Sequence, residues 1–131
     1  MTDLDALMAH ARAAALHAYA PYSHFRVGAA VSAGGQVYAG CNIENASYGL
    51  AICAERNAIF RAIAAGHRRI DALALSCIDA PPGAPPAQQM PCGACRQVMS
   101  EFTGPETPVA IEGIGTLTLE QLLPQPFTLG A

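Results

Sequence analysis

Three cysteines at two distant places in the sequence are the feature that most limits how this chain can fold. Cys53 opens a Cys-Ala-Glu triplet that ends at Glu55, while Cys92 and Cys95 follow Pro91 with Cys-x-x-Cys spacing. Three thiolates leave a tetrahedral zinc ion one open position, and a carboxylate that is not a ligand can move protons for a water molecule there. A fold that uses this inventory must bring Cys53 to the other two cysteines.

Spacing alone leaves other interpretations of these residues open. The Cys92 and Cys95 pair could be a redox pair of the thioredoxin type, and a fourth ligand, such as one of the four histidines, could close a purely structural zinc site. Glu55 could be an ordinary glutamate of a first helical turn, where acidic residues are favoured. Cys41 and Cys77 are surplus to the metal site and are expected to be buried as small hydrophobic side chains.

Composition limits what can surround such a site. The 131 residues are expected to form a single domain over residues 1–131. Apolar residues make up 52% of the chain and charged residues 13%, below the ~25% that is typical of a soluble domain. Part of the apolar surplus is therefore expected to lie in an interface between subunits.

The charge pattern excludes several partners and chemistries. The net charge is −3, and all seven basic residues other than histidine are arginines, without a basic run beyond Arg68 and Arg69. We therefore expect a free small molecule as the partner, no nucleic acid, and no lysine chemistry. We expect no membrane span, because no apolar run approaches ~20 residues. We also expect a cytoplasmic protein, because Asp3 and Asp5 stand where a secretory peptide would need positive charge and the number of cysteines is odd.

The first half of the chain predicts a helix, a hairpin and a second helix. Thr2 and Asp5 are spaced as a capping box at the start of the first helix, which Pro21 ends. Gly34 and Gly35 are typical of the turn between two paired strands. The predicted elements are a helix over about 3–20, strands over 25–33 and 36–42, and a helix that begins at Cys53, covers 54–65 and closes at Gly66.

The second half predicts strands alternating with helices. Five prolines between residues 80 and 91 indicate a loop, and Thr118 with Gln121 forms another possible capping box. The predicted elements are a strand over 70–78, a helix over 92–102, a strand over 107–112, a short strand near Leu117 and a final short helix. This order predicts the α/β class: a three-layer α/β/α sandwich with a mixed five-stranded sheet, its hairpin antiparallel and its later strands parallel.

These elements predict the layout of the candidate metal site. Cys53 and Cys92 each fall at a helix N-terminus, where the helix dipole lowers the pKa of a thiol. Cys95 follows Cys92 by one turn, so both can face one metal ion. Cys53 must take the non-helical cap position if the side chain of Glu55 is to reach back toward the metal.

The charge of three thiolates around zinc sums to about −1, which weakens the metal as a Lewis acid. Arg56 and Arg96 each follow a cysteine of the motif closely enough to donate to sulfur. We hypothesise that Arg56 has this role; the opposing interpretation is a solvated helix arginine.

Three segments carry a more specific signal: PYSHFRVGAA from Pro21 to Ala30, GCNIENASYG from Gly40 to Gly49 with CAER from Cys53 to Arg56, and PCGACRQ from Pro91 to Gln97. The combination of Cys-Ala-Glu with Pro-Cys-x-x-Cys is the signature of zinc nucleobase deaminases. The chain resembles the small cytidine deaminases that act on free nucleosides. The likeness spans nearly the whole chain, including the segment Leu122 to Phe127.

This resemblance implies a zinc-dependent hydrolase that converts cytidine and 2′-deoxycytidine to uridine and deoxyuridine with release of ammonia, in pyrimidine salvage. It implies one Zn²⁺ per subunit, held by Cys53, Cys92 and Cys95, with Glu55 as the proton shuttle. Zinc lowers the pKa of a bound water from 15.7 toward ~7, so that hydroxide is available to attack C4 of cytosine.

The resemblance also assigns a substrate pocket. Asn42 and Glu44 are implied to hold the ribose hydroxyls, Phe25 to lie against the pyrimidine ring, and the backbone at Ala54 to contact the base. An amide and a carboxylate at a strand end suit a sugar diol, because a charge-assisted hydrogen bond contributes about 1.5–3 kcal/mol. Without the resemblance, Phe25 would be expected in the core and Asn42 in a turn.

The family is typically homotetrameric, with active sites completed by neighbouring subunits, so Tyr48 and Phe127 are candidates for roles across an interface. The loop over residues 80–91 is longer than is usual in the family, which leaves fine specificity open. A deaminase of a nucleoside antibiotic of the blasticidin type, a nucleic-acid-editing deaminase and a non-catalytic zinc-stabilised module are the alternative functions.

Overall fold

A five-stranded mixed sheet with helices on both faces organises the computed structural model, which describes residues 2–130. The helices are α1 (Leu4–Ala15), α2 (Ala54–Ala64), α3 (Gly93–Phe102) and α4 (Leu119–Leu122), and 3₁₀ turns cover Tyr48–Leu50 and Pro86–Gln88. The strands are β1 (Val27–Ala33), β2 (Gln36–Cys41), β3 (Ala72–Cys77), β4 (Pro108–Ile111) and β5 (Gly115–Thr118). The predicted three-layer α/β/α class is confirmed.

The strands lie in the order β2-β1-β3-β4-β5. The hairpin of β1 and β2 turns at Gly34 and Gly35, both with positive φ. The paired residues next to the turn are Ala33 and Gln36. β1 also pairs antiparallel with β3, and β3 pairs parallel with β4. The prediction that all later strands are parallel is wrong for β5, which turns back through residues 112–114 and pairs antiparallel with β4 because so short a connection cannot make a parallel crossover.

Small residues on one face of the sheet let α1 pack against it. Apolar side chains of α1 form one core cluster with alanines of three strands, and the larger cluster lies between the opposite face and α2, α3 and α4. The smaller cluster, on the α1 side of the sheet, consists of Leu7, Met8, Ala11, Ala30, Ala72, Ala74 and Ala110. The two clusters are the two interfaces of a three-layer sandwich.

The first helix is shorter than predicted and begins at a different cap. The Asp3 side chain, not Thr2, accepts hydrogen bonds from the first-turn backbone. The helix ends at Ala15 instead of continuing to residue 20, because Tyr19 leaves it to form a bridge with Ile43: the Tyr19 N–H donates to the carbonyl of Asn42 at 3.0 Å. A long-range backbone contact thus overrides the local helical pattern.

The remaining elements match the sequence predictions within a few residues. The capping box of Thr118 and Gln121 is present at the start of α4. Cys41 and Cys77 are half-buried rather than fully buried, and desolvation raises the pKa of both thiols, that of Cys77 to about 12. Among residues 2–130, no helix has both the length and the apolar character that a membrane crossing requires.

Gly28 on β1 is where α1 comes closest to the sheet. A Cβ atom there would overlap the carbonyl oxygen of Ala11 and lie 2.6 Å from the amide nitrogen of Ala15. Both are helix backbone atoms, which cannot move aside as a flexible side chain can. We predict that Gly28→Ala lowers the free energy of unfolding by roughly 1–3 kcal/mol or more, measured by urea denaturation.

Gly49→Ala is the matched control, since a Cβ atom at Gly49 meets no atom within 4 Å. Equal urea midpoints for the two variants would contradict the packing of α1 on Gly28.

Candidate metal centre

Two helix N-termini bring the three cysteines of the motif together. Cys53 is the N-cap of α2 (φ −71°, ψ 155°) and Cys92 is the N-cap of α3 (φ −68°, ψ 168°), while Cys95 lies in the first turn of α3. The Sγ atom of Cys92 lies 3.9 Å from that of Cys53 and 3.5 Å from that of Cys95. All three sulfur atoms lie within 4.8 Å of one another.

The three sulfur atoms fit a zinc ion. Zinc–sulfur bonds of ≈ 2.3 Å in tetrahedral geometry place ligand sulfurs roughly 3.8 Å apart, close to the distances found here. Within residues 2–130, no histidine or carboxylate joins the cysteines as a fourth ligand. The set therefore suits a site with one open coordination position rather than a closed structural site.

Hydrogen bonding within the cluster divides the thiols into an easily ionised one and a resistant one. The hydrogen bond from Cys95 is the main reason that the pKa of Cys53 falls to about 5, against an opposing effect of burial, and Arg56 lowers it further. The same bond and burial raise the pKa of Cys95 well above its usual value. The thiolate form of Cys53 is thus favoured by the groups around it, among them the guanidinium of Arg56.

Arg56 lies against the ligand sulfur, as hypothesised from the sequence. Its Nη2 donates to Sγ of Cys53 at 3.3 Å, and this bond raises the pKa of the guanidinium. Arg96 takes a different role: it donates to the backbone carbonyls of Pro91 at 2.8 Å and Leu122 at 2.7 Å. Arg96 therefore holds the backbone just before Cys92, and Arg56 is the arginine that donates a hydrogen bond to the ligand sulfur.

Glu55 is almost fully enclosed, with 4% of its surface exposed. Cys53 takes the non-helical cap position, which is the condition inferred from the sequence for the side chain of Glu55 to reach back toward the metal. The pKa of Glu55 is raised to about 7, mainly by burial and also by the negative charge of Cys53, while hydrogen bonds from its own backbone and from Cys95 oppose the rise. A buried carboxyl group that interacts with two of the three cysteines can exchange protons at the metal site.

A cavity of about 320 Å³ lies along the segment that leads into α2. Its size falls at the lower end of the usual range for small-molecule sites. The lining residues are Tyr22, Ser23, Glu44, Asn45, Tyr48 and Ala51. The sequence predicted Glu44 as a substrate-binding residue and Tyr48 as a residue with a role across an interface. Tyr22, Ser23 and Asn45 were missed as site residues, although all three stand in segments that carry the family resemblance.

Glu44 holds the turn beside this cavity. Its Oε1 accepts the backbone N–H groups of Tyr22 at 3.0 Å and Ser23 at 3.1 Å, and its Oε2 accepts the Ser23 hydroxyl. The hydroxyl bond is the main reason that the pKa of Glu44 is lowered. The carboxylate is therefore charged and has acceptor capacity left on Oε2.

The other predicted substrate residues do not line this cavity. Asn42 spans the start of β1: its Oδ1 accepts the N–H of Val27 at 2.8 Å, and its Nδ2 donates to the carbonyl of Phe25 at 2.9 Å. Phe25 is half-buried. Ala54 is fully buried as the first residue of α2, where first-turn N–H groups have no partner within the helix.

The two residues predicted to act across an interface are exposed aromatics. Tyr48 is 79% exposed and stacks edge to face with Tyr22, with ring centroids 6.3 Å apart. Phe127 is 70% exposed. The side chain of Gln97 on α3 holds the backbone of Phe127 through two hydrogen bonds of 2.9 and 3.2 Å, so the exposed ring stands on an anchored segment.

Comparison with known proteins assigns the family. The family model described as "Cytidine and deoxycytidylate deaminase zinc-binding region" matches residues 1–111. The chain belongs to the cytidine and deoxycytidylate deaminase family. The resemblance stated from the sequence is thereby confirmed, and the chain is an enzyme of a zinc-dependent hydrolase family.

Several relatives are similar over nearly their full length. A cytidine deaminase of Sporosarcina psychrophila is 42% identical, over 96% of this chain and 92% of its own. The crystal structure of cytidine deaminase from Burkholderia pseudomallei matches with a TM-score of 0.83 and 43% identity, covering 96% of this chain and 100% of that one. The crystal structure of cytidine deaminase from Mycobacterium tuberculosis matches with a TM-score of 0.85 and 40% identity. The match covers 98% of this chain and 100% of that one.

The contact between Arg56 and Cys53 leads to a prediction about metal affinity. Removing the guanidinium leaves the thiolate charge without its donor, and loss of such supporting groups typically weakens metal binding about 10–100-fold. We expect Arg56→Ala to lower zinc affinity by that factor, measured by competition with a chelator.

Arg61→Ala is the control on the same helix, because Arg61 donates to the carbonyl of Ala39 and not to sulfur. Unchanged zinc affinity in Arg56→Ala would show that Arg56 does not support the metal ligands.

Proposed function

We propose that this protein hydrolyses free cytidine and 2′-deoxycytidine to uridine and deoxyuridine with release of ammonia, in cytoplasmic pyrimidine salvage, with one zinc ion per subunit. The observation that carries the proposal is the cradle of Cys53, Cys92 and Cys95 with the buried carboxyl group of Glu55 beside it. The names of the similar proteins support cytidine as the substrate.

Glu55 carries the proton transfers in this mechanism. A zinc ion held by Cys53, Cys92 and Cys95 would supply activation of a water molecule for attack at C4 of the pyrimidine. Glu55 takes one proton from the attacking water and delivers it to N3 as the C4–O bond forms. It then takes the second proton from the new C4 hydroxyl and delivers it to the amino nitrogen as the C4–N bond breaks, so that water and cytidine give uridine and ammonia. The raised pKa of Glu55, about 7, suits a group that must both accept and donate protons near neutral pH.

The groups proposed to bind the nucleoside retain hydrogen-bonding capacity. Glu44 has a free acceptor site, and the Asn42 amide has a second N–H and a second lone pair beyond its two backbone bonds. In the proposed complex these groups hold the ribose hydroxyls, Phe25 contacts the pyrimidine ring, and the backbone at Ala54 contacts the base.

The subunits are proposed to form a homotetramer that shares its active sites. Large apolar side chains are exposed near the cavity and the C-terminal segment, among them Tyr19, Tyr22, Ile43, Leu50 and Leu129 as well as Tyr48 and Phe127. The rings of Tyr22 and Tyr48 contact each other, and Tyr19 and Ile43 form a backbone bridge. Grouped exposed apolar side chains are typical of a contact with another protein surface. Tyr48 and Phe127 are the residues proposed to reach a neighbouring subunit.

The role of Glu55 predicts a loss of turnover without a loss of metal. Glu55→Gln keeps the shape of the side chain but cannot carry a proton, so kcat for cytidine should fall at least ~10²–10⁴-fold. Turnover is followed by the loss of ultraviolet absorbance as cytidine is consumed, and zinc content is measured on the same sample.

Glu101→Gln, at an exposed position of α3, is the matched control and should behave as wild type. Near-normal turnover by a zinc-loaded Glu55→Gln enzyme would refute the assignment of Glu55.

The role of Glu44 predicts a change in substrate binding. Glu44→Ala removes a charge-assisted hydrogen bond worth about 1.5–3 kcal/mol, so KM for cytidine should rise about 10–150-fold, with a smaller change in kcat. Ser23→Ala separates the two functions of the carboxylate, because it removes a bond of the turn and leaves Glu44 in place. Equal increases in KM for the two variants would indicate that Glu44 acts only through the turn.

A further inference from the structure

The carboxylate of Asp79 joins the start of β1 to the segment that follows β3. Its Oδ2 accepts the backbone N–H of Arg26 at 2.7 Å and the Nε–H of Arg26 at 2.9 Å, while Oδ1 accepts from Nη2 at 2.8 Å. Arg26 directly precedes β1, and Asp79 lies two residues beyond the end of β3. One acidic side chain thus binds both the backbone and the side chain of a single residue.

These contacts fix the peptide group between Phe25 and Arg26 at both polar ends. The carbonyl of Phe25 accepts from Nδ2 of Asn42 at 2.9 Å, and the N–H of Arg26 donates to Asp79 at 2.7 Å. Because a peptide group is planar, two bonds on opposite edges set the orientation of the whole plane. The N–H of Phe25 on the preceding peptide group also donates to Oγ of Ser23, at 3.1 Å. With the peptide groups on both sides of Phe25 held, the direction in which its side chain leaves the backbone is set.

We propose that Asp79 is a positioning residue that orients Phe25 for contact with the pyrimidine base. This inference rests on the proposed function, which places Phe25 against the base. Asp79 acts through the peptide plane and has no contact with substrate.

Energetics separate this role from general stabilisation of the fold. The side chains of Arg26 and Asp79 are 43% and 23% exposed, and ion pairs at such exposed positions contribute little to stability. The hydrogen bonds from the Arg26 side chain lower the pKa of Asp79 to about 2, so the carboxylate is charged at neutral pH. Loss of Asp79 should therefore change substrate binding more than folding.

The test compares Asp79→Ala with Asp71→Ala. Asp71 precedes β3 and accepts the backbone N–H of Gly34 at 3.2 Å, so the control removes the same kind of bond at the opposite end of the same pair of strands. Aromatic contact with a base contributes ≈ 1–3 kcal/mol, and partial loss predicts a KM for cytidine roughly tenfold higher in Asp79→Ala. We expect smaller changes in kcat, unchanged zinc content and wild-type KM in Asp71→Ala.

Two further variants keep the test decisive if Asp79→Ala folds poorly. Arg26→Gln removes the ion pair but keeps the backbone N–H that Asp79 holds, so its KM should rise less than that of Asp79→Ala. Asp79→Asn keeps one acceptor oxygen and should give an intermediate KM. In a Phe25→Ala background, Asp79→Ala should raise KM no further, because the two residues act through one contact.

The outcomes distinguish the two proposals. Wild-type KM in Asp79→Ala, an equal rise in Arg26→Gln, or additive effects in the Phe25→Ala background would each overturn the positioning role and leave the proposed deaminase function unaffected. A zinc-loaded wild-type enzyme that does not deaminate cytidine would overturn the proposed function and the positioning role with it.

Discussion

The close approach of α2 to the sheet at Gly40 is the contact on which the metal centre depends. A Cβ atom at Gly40 would lie 2.5 Å from the amide nitrogen of Ala58 and 2.9 Å from the carbonyl oxygen of Ala54. Ala54 is the first residue of α2 and directly follows Cys53. A larger residue at Gly40 would move the start of this helix, and with it Cys53, which must meet Cys92 and Cys95. The absence of a Cβ atom at Gly40 thus allows α2 to place Cys53 beside the other two cysteines.

The second requirement is electrostatic. Neither α2 nor α3 has a side-chain cap at its N-terminus, so the positive ends of two helices face the three sulfur atoms and stabilise negative charge there. Arg56 adds a full positive charge at Cys53. Burial has the opposite effect on Glu55, whose pKa rises to about 7. One small region therefore favours anionic sulfur and a carboxyl group that can hold a proton, and hydrolytic deamination uses both.

Local signals predicted most of the fold. The glycine turn of the hairpin, the starts of α2 and α3 at cysteines and the capping box at Thr118 are short-range features, and each appears as predicted. Predictions failed where partners distant in sequence decide the structure. Tyr19 leaves the helical pattern for a bridge with Ile43, and β5 pairs antiparallel because the turn over 112–114 brings it back beside β4.

The sequence by itself determined the chemistry of this protein: three thiols, a carboxyl group and an arginine, with Cys92 and Cys95 one helical turn apart. Only the tertiary structure decided which of these groups meet. Arg96 binds the backbone carbonyl of Leu122, 26 residues along the chain, and is therefore not the donor to sulfur. The bonds of Asn42 and Asp79 to the peptide group after Phe25 also join residues far apart in the chain. Helix spacing follows from backbone geometry and can be counted along a sequence. Contacts across a sheet follow from strand pairing and packing, which no local pattern records.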